Sequence, residues 1–465
     1  MSDNSSSSKL GEIPITPLLI KQAVPASVGI LIMSIYGIVD TIFIGHWVGP
    51  MGIAGVTVVF PLTFLISSIG MAIGIGGGSI ISRALGEGMK ARASRTFGNQ
   101  IALTLGFAMV AVLIGRLFEV PLLRLFGAQG EILEPSQTYF RMLLPGIPFL
   151  AFAMMSNNVI RAEGRPKVAM FILIIPAILN TLLDPIFIVW LGMGMKGAAL
   201  ATTISYIASA VFGASYFIRR KSELILHRTD LIPDWPILKE TISIGSVTFA
   251  RQGVIALLSI ILNHSLFKYG EEVAVSAYGI IARLMMFANF PVIGLVQGFL
   301  PIAGYNYGAK HWGRVRKSVI ASIKFGTGIS ICIFISIYLL TSPIVQLFST
   351  DTILIETTIP AIKIAFLMTP LLIIQLIGSA YYQAIGQALP ALFLALTKQG
   401  FFLIPLIIFF PLIFGLDGIW WSFPVADLST AVISFFAISR SLRRLHAKVP
   451  LIEEPMVAEE VAQRP

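Results

Sequence analysis

Long apolar stretches, each of about twenty residues or more, recur along the chain, and short polar or basic segments separate them. A helix of about 20 apolar residues spans a ~30 Å hydrocarbon core, so each stretch predicts a membrane-crossing helix. About twelve are predicted in two sets of six: 15–45, 53–82, 96–118, 138–160, 168–190 and 197–218, then 238–267, 274–303, 318–341, 359–382, 389–414 and 418–440. Ten-residue units of alternating apolar and polar positions, the mark of a membrane β-barrel, are absent. Helices are the other structure that satisfies every backbone group in lipid. The fold class is therefore an all-α polytopic membrane protein of two six-helix bundles. Its parts are a polar tail over 1–14, a first lobe over 15–218, a linker over 219–237, a second lobe over 238–440 and a tail over 441–465. The opening residues MSDNSSSSKLGEIPITP read as a flexible tail, and the first apolar run is too long for a cleavable signal.

Composition removes the soluble alternatives. Hydrophobic residues make up 56% of the 465 positions and charged residues 12%, whereas soluble chains carry about 25% charged residues. A mean hydropathy of +0.86 excludes a cytosolic enzyme, a secreted domain or a disordered scaffold. The net charge of +10 would suit nucleic acid only if Lys and Arg shared one solvated patch. They fall instead in clusters between apolar runs: Arg83, Lys90, Arg92 and Arg95; Arg161, Arg165 and Lys167; Arg219, Arg220 and Lys221; Lys310, Arg314, Arg316 and Lys317; Arg440, Arg443, Arg444, Lys448 and Arg464. The alternate connections hold far fewer, so the positive-inside rule puts both termini and the linker in the cytoplasm of a plasma or inner membrane. Cys332 is the one cysteine and reads as an unreactive apolar filler, which excludes disulfides and Cys-based metal sites.

The two halves match each other. A shift of 222 positions places Gly76 on Gly298, Gly86 on Gly308, Arg92 on Arg314, Arg141 on Lys363, Pro148 on Pro370 and Gly164 on Gly386. A constant offset that pairs loops with loops marks an internal repeat. Six crossings per half return the chain to the same side, so the repeat is parallel, with an axis along the membrane normal. In transporters of this build the substrate site lies near the interface, and rocking of one bundle on the other gives alternating access.

Three aspartates, Asp40, Asp184 and Asp427, lie inside spans. A carboxylate near the bilayer centre costs at least ~2.5 kcal/mol, which makes such a residue a functional candidate. Asn180 is one helical turn before Asp184, and Tyr36 is one turn before Asp40. With Asn157 and Asn158 in the fourth span and Thr202 and Thr203 in the sixth, the first lobe could assemble an oxygen-rich cluster. Such a cluster binds a hard cation such as Na⁺ or holds a proton, and either ion is driven inward by the membrane potential. Pro25 lies in the first span and offers a bend. Arg251, Arg283, Lys324 and Lys398 are the basic residues in spans. Arg251 reads as an internal ion pair or a cavity-lining group, and Lys324 and Lys398 as snorkelling side chains. Met33, Met154, Met155, Met285 and Met286 offer a soft wall for lipophilic compounds, against the plainer reading of packing or lipid contact.

Enzyme motifs fail. No GxxxxGK[ST], HExxH or GxSxG occurs, and GMGMKG (192–197) follows no soluble strand, so no ATP, dinucleotide or hydrolase site is expected and transport would be secondary. An intramembrane aspartyl protease is disfavoured because neither Asp40 nor Asp184 stands in a GxGD context.

The segments PASVGILIMSIYGIVDTIFIGHWVG, GGGSIISRALGEGMKARASRTFGN, NNVIRAEGRPK and LNTLLDPIFI, in this order, resemble the multidrug and toxic compound extrusion (MATE) family over nearly the whole chain. The resemblance implies a V of two six-helix lobes and cation-coupled export of lipophilic, often cationic compounds, with H⁺ or Na⁺ as coupling ion and no other cofactor. Its DinF-like members carry an ion-sensitive acid in the first span, matched by Asp40, with partners matched by Asn180, Asp184 and Thr202. It also implies Asn157, Tyr36 and Tyr139 near that network and Pro25 as the bend. The NorM-like branch has second-lobe acids that are missing here; Arg251 stands where one might be sought. A monomer is expected. The alternative function is a flippase for a lipid-linked precursor, which should line its cavity with basic residues, and Arg251, Arg283 and Lys398 leave that open.

Overall fold

The computed structural model describes residues 6–447. The expectations for residues 1–5 and 448–465, including Lys448 and Arg464, lie outside the described residues. The first lobe has spans at Ile15–Trp47, Pro50–Gly86, Lys90–Leu117, Gly130–Ala162, Pro166–Trp190 and Gly194–Ile218. The second begins with a 74-residue helical unit, Trp235–Gly308, broken by non-helical backbone at Gly270 and Glu271 into the seventh and eighth spans. Trp312–Phe348, Thr352–Ala384, Ala388–Phe409 and Pro411–Leu445 complete it. The described residues contain no strand.

Several helices outrun the apolar stretches that predict them. The third starts at Lys90 rather than near residue 96, because its basic first turns are helical outside the hydrocarbon. The fourth is interrupted by a short 3₁₀ turn at Leu144–Gly146, and the fifth ends in the π-helical turn Pro185–Trp190. Prolines open helices where their missing N–H costs nothing, as at Pro50 and Pro166. Gly164 and Gly386, a repeat pair, follow the fourth and tenth spans with φ of +77° and +81°, a region open to glycine.

Each lobe buries its own apolar core. Tyr139, Phe140, Leu143, Ile147 and Val59 centre one in the first lobe, and Leu262, Ile281, Ile362, Ile407 and Ile419 one in the second. A further core joins the lobes, placing Leu10, Leu18 and Leu19 of the chain start against Phe299, Ile302 and Ile377. Large apolar side chains such as Leu125, Trp190, Leu347 and Ile413 are exposed around the outside, as a lipid-facing surface requires. Cys332 is on that outer surface.

The lobes approach closely through glycines on the half of the molecule that carries the basic connections, here called the basic face. A Cβ on Gly76 would strike the Thr241 carbonyl oxygen, and one on Gly298 the backbone of Ala23. Ser79 Oγ donates to the Gln383 carbonyl at 2.6 Å, and Arg83 Nη2 pairs with Glu240 at 2.7 Å. The segments leading into each lobe dock on the other one. Asn306 Nδ2 and Arg314 Nη2 of the second lobe donate to the Leu10 carbonyl at 2.9 and 3.2 Å. Asn99 Nδ2 of the first lobe donates to Asp230 of the linker at 3.0 Å, while Arg95 pairs with Asp234 at 2.9 Å. The expectation of a flexible tail over the first seventeen residues is corrected here for the described ones. Ser8–Glu12 is a helical turn, held because its Leu10 carbonyl accepts from a second-lobe amide and guanidinium.

Candidate ion site in the first lobe

Asp40 on the first span and Asp184 at the end of the fifth are both buried, and their carboxyl groups lie within hydrogen-bonding reach of each other. Pro185 follows Asp184 directly, and the wide π turn it begins alters the helix beside the acid, a feature common at functional sites. Asn180, one turn earlier, donates through Nδ2 to Asp184 Oδ1 and to Thr202 Oγ1 of the sixth span, both at 3.3 Å. Thr202 in turn donates to the Ala198 carbonyl at 3.0 Å, which leaves its lone pairs to receive the amide. Tyr139 of the fourth span lies beside Thr202, and Tyr36 lies beside Tyr206. Four spans thus bring Tyr36, Asp40, Tyr139, Asn180, Asp184, Thr202 and Tyr206 together.

The arrangement is short of positive charge. Among the described residues no Lys or Arg pairs with Asp40 or Asp184. Asp40 Oδ1, Asp184 Oδ2 and Asn180 Oδ1 are buried without a hydrogen-bond partner. Two buried carboxylates with unsatisfied oxygens are costly unless a cation joins them. The donors are all oxygen, which suits a proton or a hard cation such as Na⁺ rather than a transition metal. The described residues hold no group of three or more His, Cys, Asp or Glu arranged for a metal.

Other expected residues are placed elsewhere. Asn157 donates to the Ala169 carbonyl at 2.6 Å and accepts from Arg161 at 2.7 Å, so its bonds are made at the opposite end of the fifth span from Asp184. A fifth-span helix running from Pro166 to Asp184 separates the two positions, and spacing along the fourth span could not show this. Asn158 is bonded to its own helix at Met154 and lines a small cavity between the lobes. Pro25 lies between Ala23 and Ser27, the two backbone points on which Gly298 and Gly294 of the eighth span press. Arg251 is half-buried on the seventh span, and no ion pair among the described residues engages it. Met33 and Met154 line a cavity of about 10 Å³ beside Tyr36 and Tyr206, whereas Met155 is fully buried and Met286 exposed.

Sequence reading missed three features. Tyr206 stands one turn after Thr202, so the i, i+4 spacing used for Asp40 and Asp184 could have found it. Lys398, read as snorkelling, instead forms an ion pair with Asp427 at 2.5 Å; both are largely buried, and only packing of the eleventh span on the twelfth reveals the pair. Arg161, grouped with loop cations, is a buried side chain at the end of the fourth span.

The MatE family profile matches residues 25–186 and 249–409, one segment in each lobe. Among curated relatives, the multidrug export protein MepA of Staphylococcus aureus (strain MRSA252) is 29% identical over 432 residues, covering 91% of this chain and 94% of that protein. Among solved structures, a MATE transporter in the bent conformation superposes with a TM-score of 0.88 at 24% identity, covering 95% of this chain and 98% of the other. An outward-facing MATE-family multidrug resistance transporter superposes with a TM-score of 0.86, also at 24% identity, covering 94% and 98%. With both lobes matched over more than half of its length, this multi-pass membrane chain belongs to the MatE family of transporters.

Proposed function

We propose that the protein is a secondary antiporter that exports small lipophilic or cationic compounds in exchange for inward H⁺ or Na⁺, coupled at Asp40 and Asp184. The observation that carries this reading is the pair of buried carboxylates beside each other, each with an unpartnered oxygen, next to the unpartnered Asn180 amide oxygen and with no basic side chain among the described residues to neutralise them. A cation entering the group removes the cost of the buried charges, and its departure restores it. That change acts on the first span, which holds Asp40 and also Pro25 at the lobe contact, so ion binding is linked to how the lobes meet. Na⁺, where it is the coupling ion, would be held by Asp40, Asn180, Asp184 and Thr202. The protein works as a monomer in the plasma or inner membrane with both termini in the cytoplasm, so the face on which the lobes meet closes toward the cytoplasm. The multidrug export relatives support the substrate class.

The test is ethidium efflux from energised cells expressing the wild type, Asp40→Asn or Asp184→Asn at equal membrane abundance. Export by the wild type and its loss in both variants support the reading. A wild type that moves no cationic dye defeats the multidrug reading and favours a flippase for a lipid-linked precursor.

A further inference from the structure

Arg161 is 4% exposed, and its guanidinium has one described bond, from Nη2 to Asn157 Oδ1 at 2.7 Å. Its Nε and Nη1 are buried without a hydrogen-bond partner, and no ion pair among the described residues engages it. A guanidinium keeps its charge, so these two N–H groups must find an acceptor or remain a costly buried charge. Arg161 lines a partly open space between the lobes with room of about 20 Å³ for a guest. Gly74, Gly78, Ser79 and Asn158 form its first-lobe wall, and Gln297, Leu300, Pro301 and Ala384 its second-lobe wall. The Gln297 side-chain oxygen is also buried without a partner. An amide that turns over presents N–H in its place. The walls therefore supply a fixed positive charge and an amide, with no carboxylate among the lining residues.

We infer that this inter-lobe cavity is a binding site for a small inorganic anion, chloride in size and charge, held by Arg161 Nε and Nη1 and by Gln297. A space of this volume accommodates a single water-sized guest. Of such guests, an anion neutralises the guanidinium and a water does not. The site is complete only while the lobes touch on the basic face, because Arg161 and Gln297 belong to different lobes. An anion that binds the joined state better than the parted one shifts the protein toward the joined state. This assignment does not depend on which ion or substrate the first-lobe site handles.

The test compares thermal unfolding of the purified full-length protein in sodium chloride and in sodium gluconate at equal Na⁺, which holds occupancy of the aspartate site constant. Chloride should raise the midpoint of the wild type saturably by about 2 °C or more. Arg161→Gln should abolish that increment. Gly78→Ala is the second variant, since its added Cβ would sit 3.5 Å from the Asn158 carbonyl oxygen, an ordinary contact, and would take up room in the roughly 20 Å³ space that Gly78 lines, with Arg161 intact. It too should remove the chloride increment, and it decides the matter if Arg161→Gln does not fold. Equal midpoints of the wild type in the two salts overturn the proposal, as does a chloride increment that survives Gly78→Ala.

Discussion

Gly86 of the second span and Gly308 of the eighth face each other across the lobe boundary in reciprocal contacts. A Cβ on Gly86 would strike the Tyr305 carbonyl oxygen, and one on Gly308 would strike that of Arg83. Arg83 and Tyr305 are themselves separated by the 222-residue repeat offset, so each glycine meets the repeat partner of the other's target. The pseudo-two-fold axis of the molecule runs between them. Rigid carbonyls on both sides leave no room for a side chain, and the lobes reach this separation because both positions are glycine.

Gly86→Ala should therefore wedge the lobes apart on the basic face. Overpacking of this kind costs about 1–3 kcal/mol. In a Cys332→Ser background, a cysteine introduced at Ser79 should be labelled faster by a soluble maleimide when Gly86→Ala is present. Unchanged labelling at unchanged stability would show that the contact yields without opening.

Tyr206 should matter to transport without being essential to folding. Its hydroxyl lies beside Tyr36, one turn from Asp40, and Tyr206→Phe removes that polar neighbour while keeping the ring. Losing a buried hydroxyl next to the acids costs about 1 kcal/mol, the worth of one hydrogen bond, so dye efflux is expected to fall roughly fivefold at equal abundance. Efflux at the wild-type rate would place Tyr206 outside the working group.

Glu163, in the connection after the fourth span, makes stability depend on pH. Burial, followed by smaller effects that include the nearby Glu223 carboxylate, pushes its carboxyl up to about 7 from an ordinary 4.5. Its Oε1 accepts from Ser222 Oγ at 2.6 Å and from the Glu223 amide at 2.7 Å, and Glu223 holds Ser7 of the N-terminal segment. The folded protein keeps the proton between these two pH values after the unfolded chain has lost it. Stability is greatest below about 4.5, falls as pH rises, and has lost the whole contribution above about 7. That contribution is on the order of 3 kcal/mol. Midpoints measured from pH 5 to 9 should decline in the wild type, and Glu163→Gln should flatten the decline. A variant with the wild-type slope would assign the pH dependence to other groups.

The Lys398–Asp427 pair should show the asymmetry of buried ion pairs. Asp427→Asn leaves the ammonium without its charge partner and should cost about 3–5 kcal/mol, whereas replacing both residues, as Lys398→Met with Asp427→Leu, should restore most of the stability. Thermal midpoints of the single and double variants check this. A double variant no more stable than the single one would mean that the cavity beside the pair requires polar groups, of which Asn289, Ser330 and Thr369 are already present.

The candidate ion site was half legible. Asn180 and Asp184 share one helix and stand one turn apart, so their proximity follows from helical spacing alone, as does that of Tyr36 and Asp40. Joining the two pairs requires the first span to lie on the fifth, which periodicity within either helix does not state. Asn157 shows the limit from the other side. It is polar, intramembrane and in the right lobe, yet it bonds Arg161 and Ala169 because the packing of the fourth span on the fifth turns it that way.

The number of crossings, the repeat, the basic face and the isolation of two acids in the first lobe are properties of the sequence by itself. They depend on apolar length, charge placement and a constant offset, all of which act locally or along the chain. The burial of Arg161 between lobes and the docking of Ser8–Glu12 on the second lobe were decided by the tertiary structure alone, and so, resemblance apart, was the meeting of Asp40 with Asp184. Each joins residues from different helices, and side-chain contacts across helices depend on rotation and tilt that twenty interchangeable apolar residues leave open.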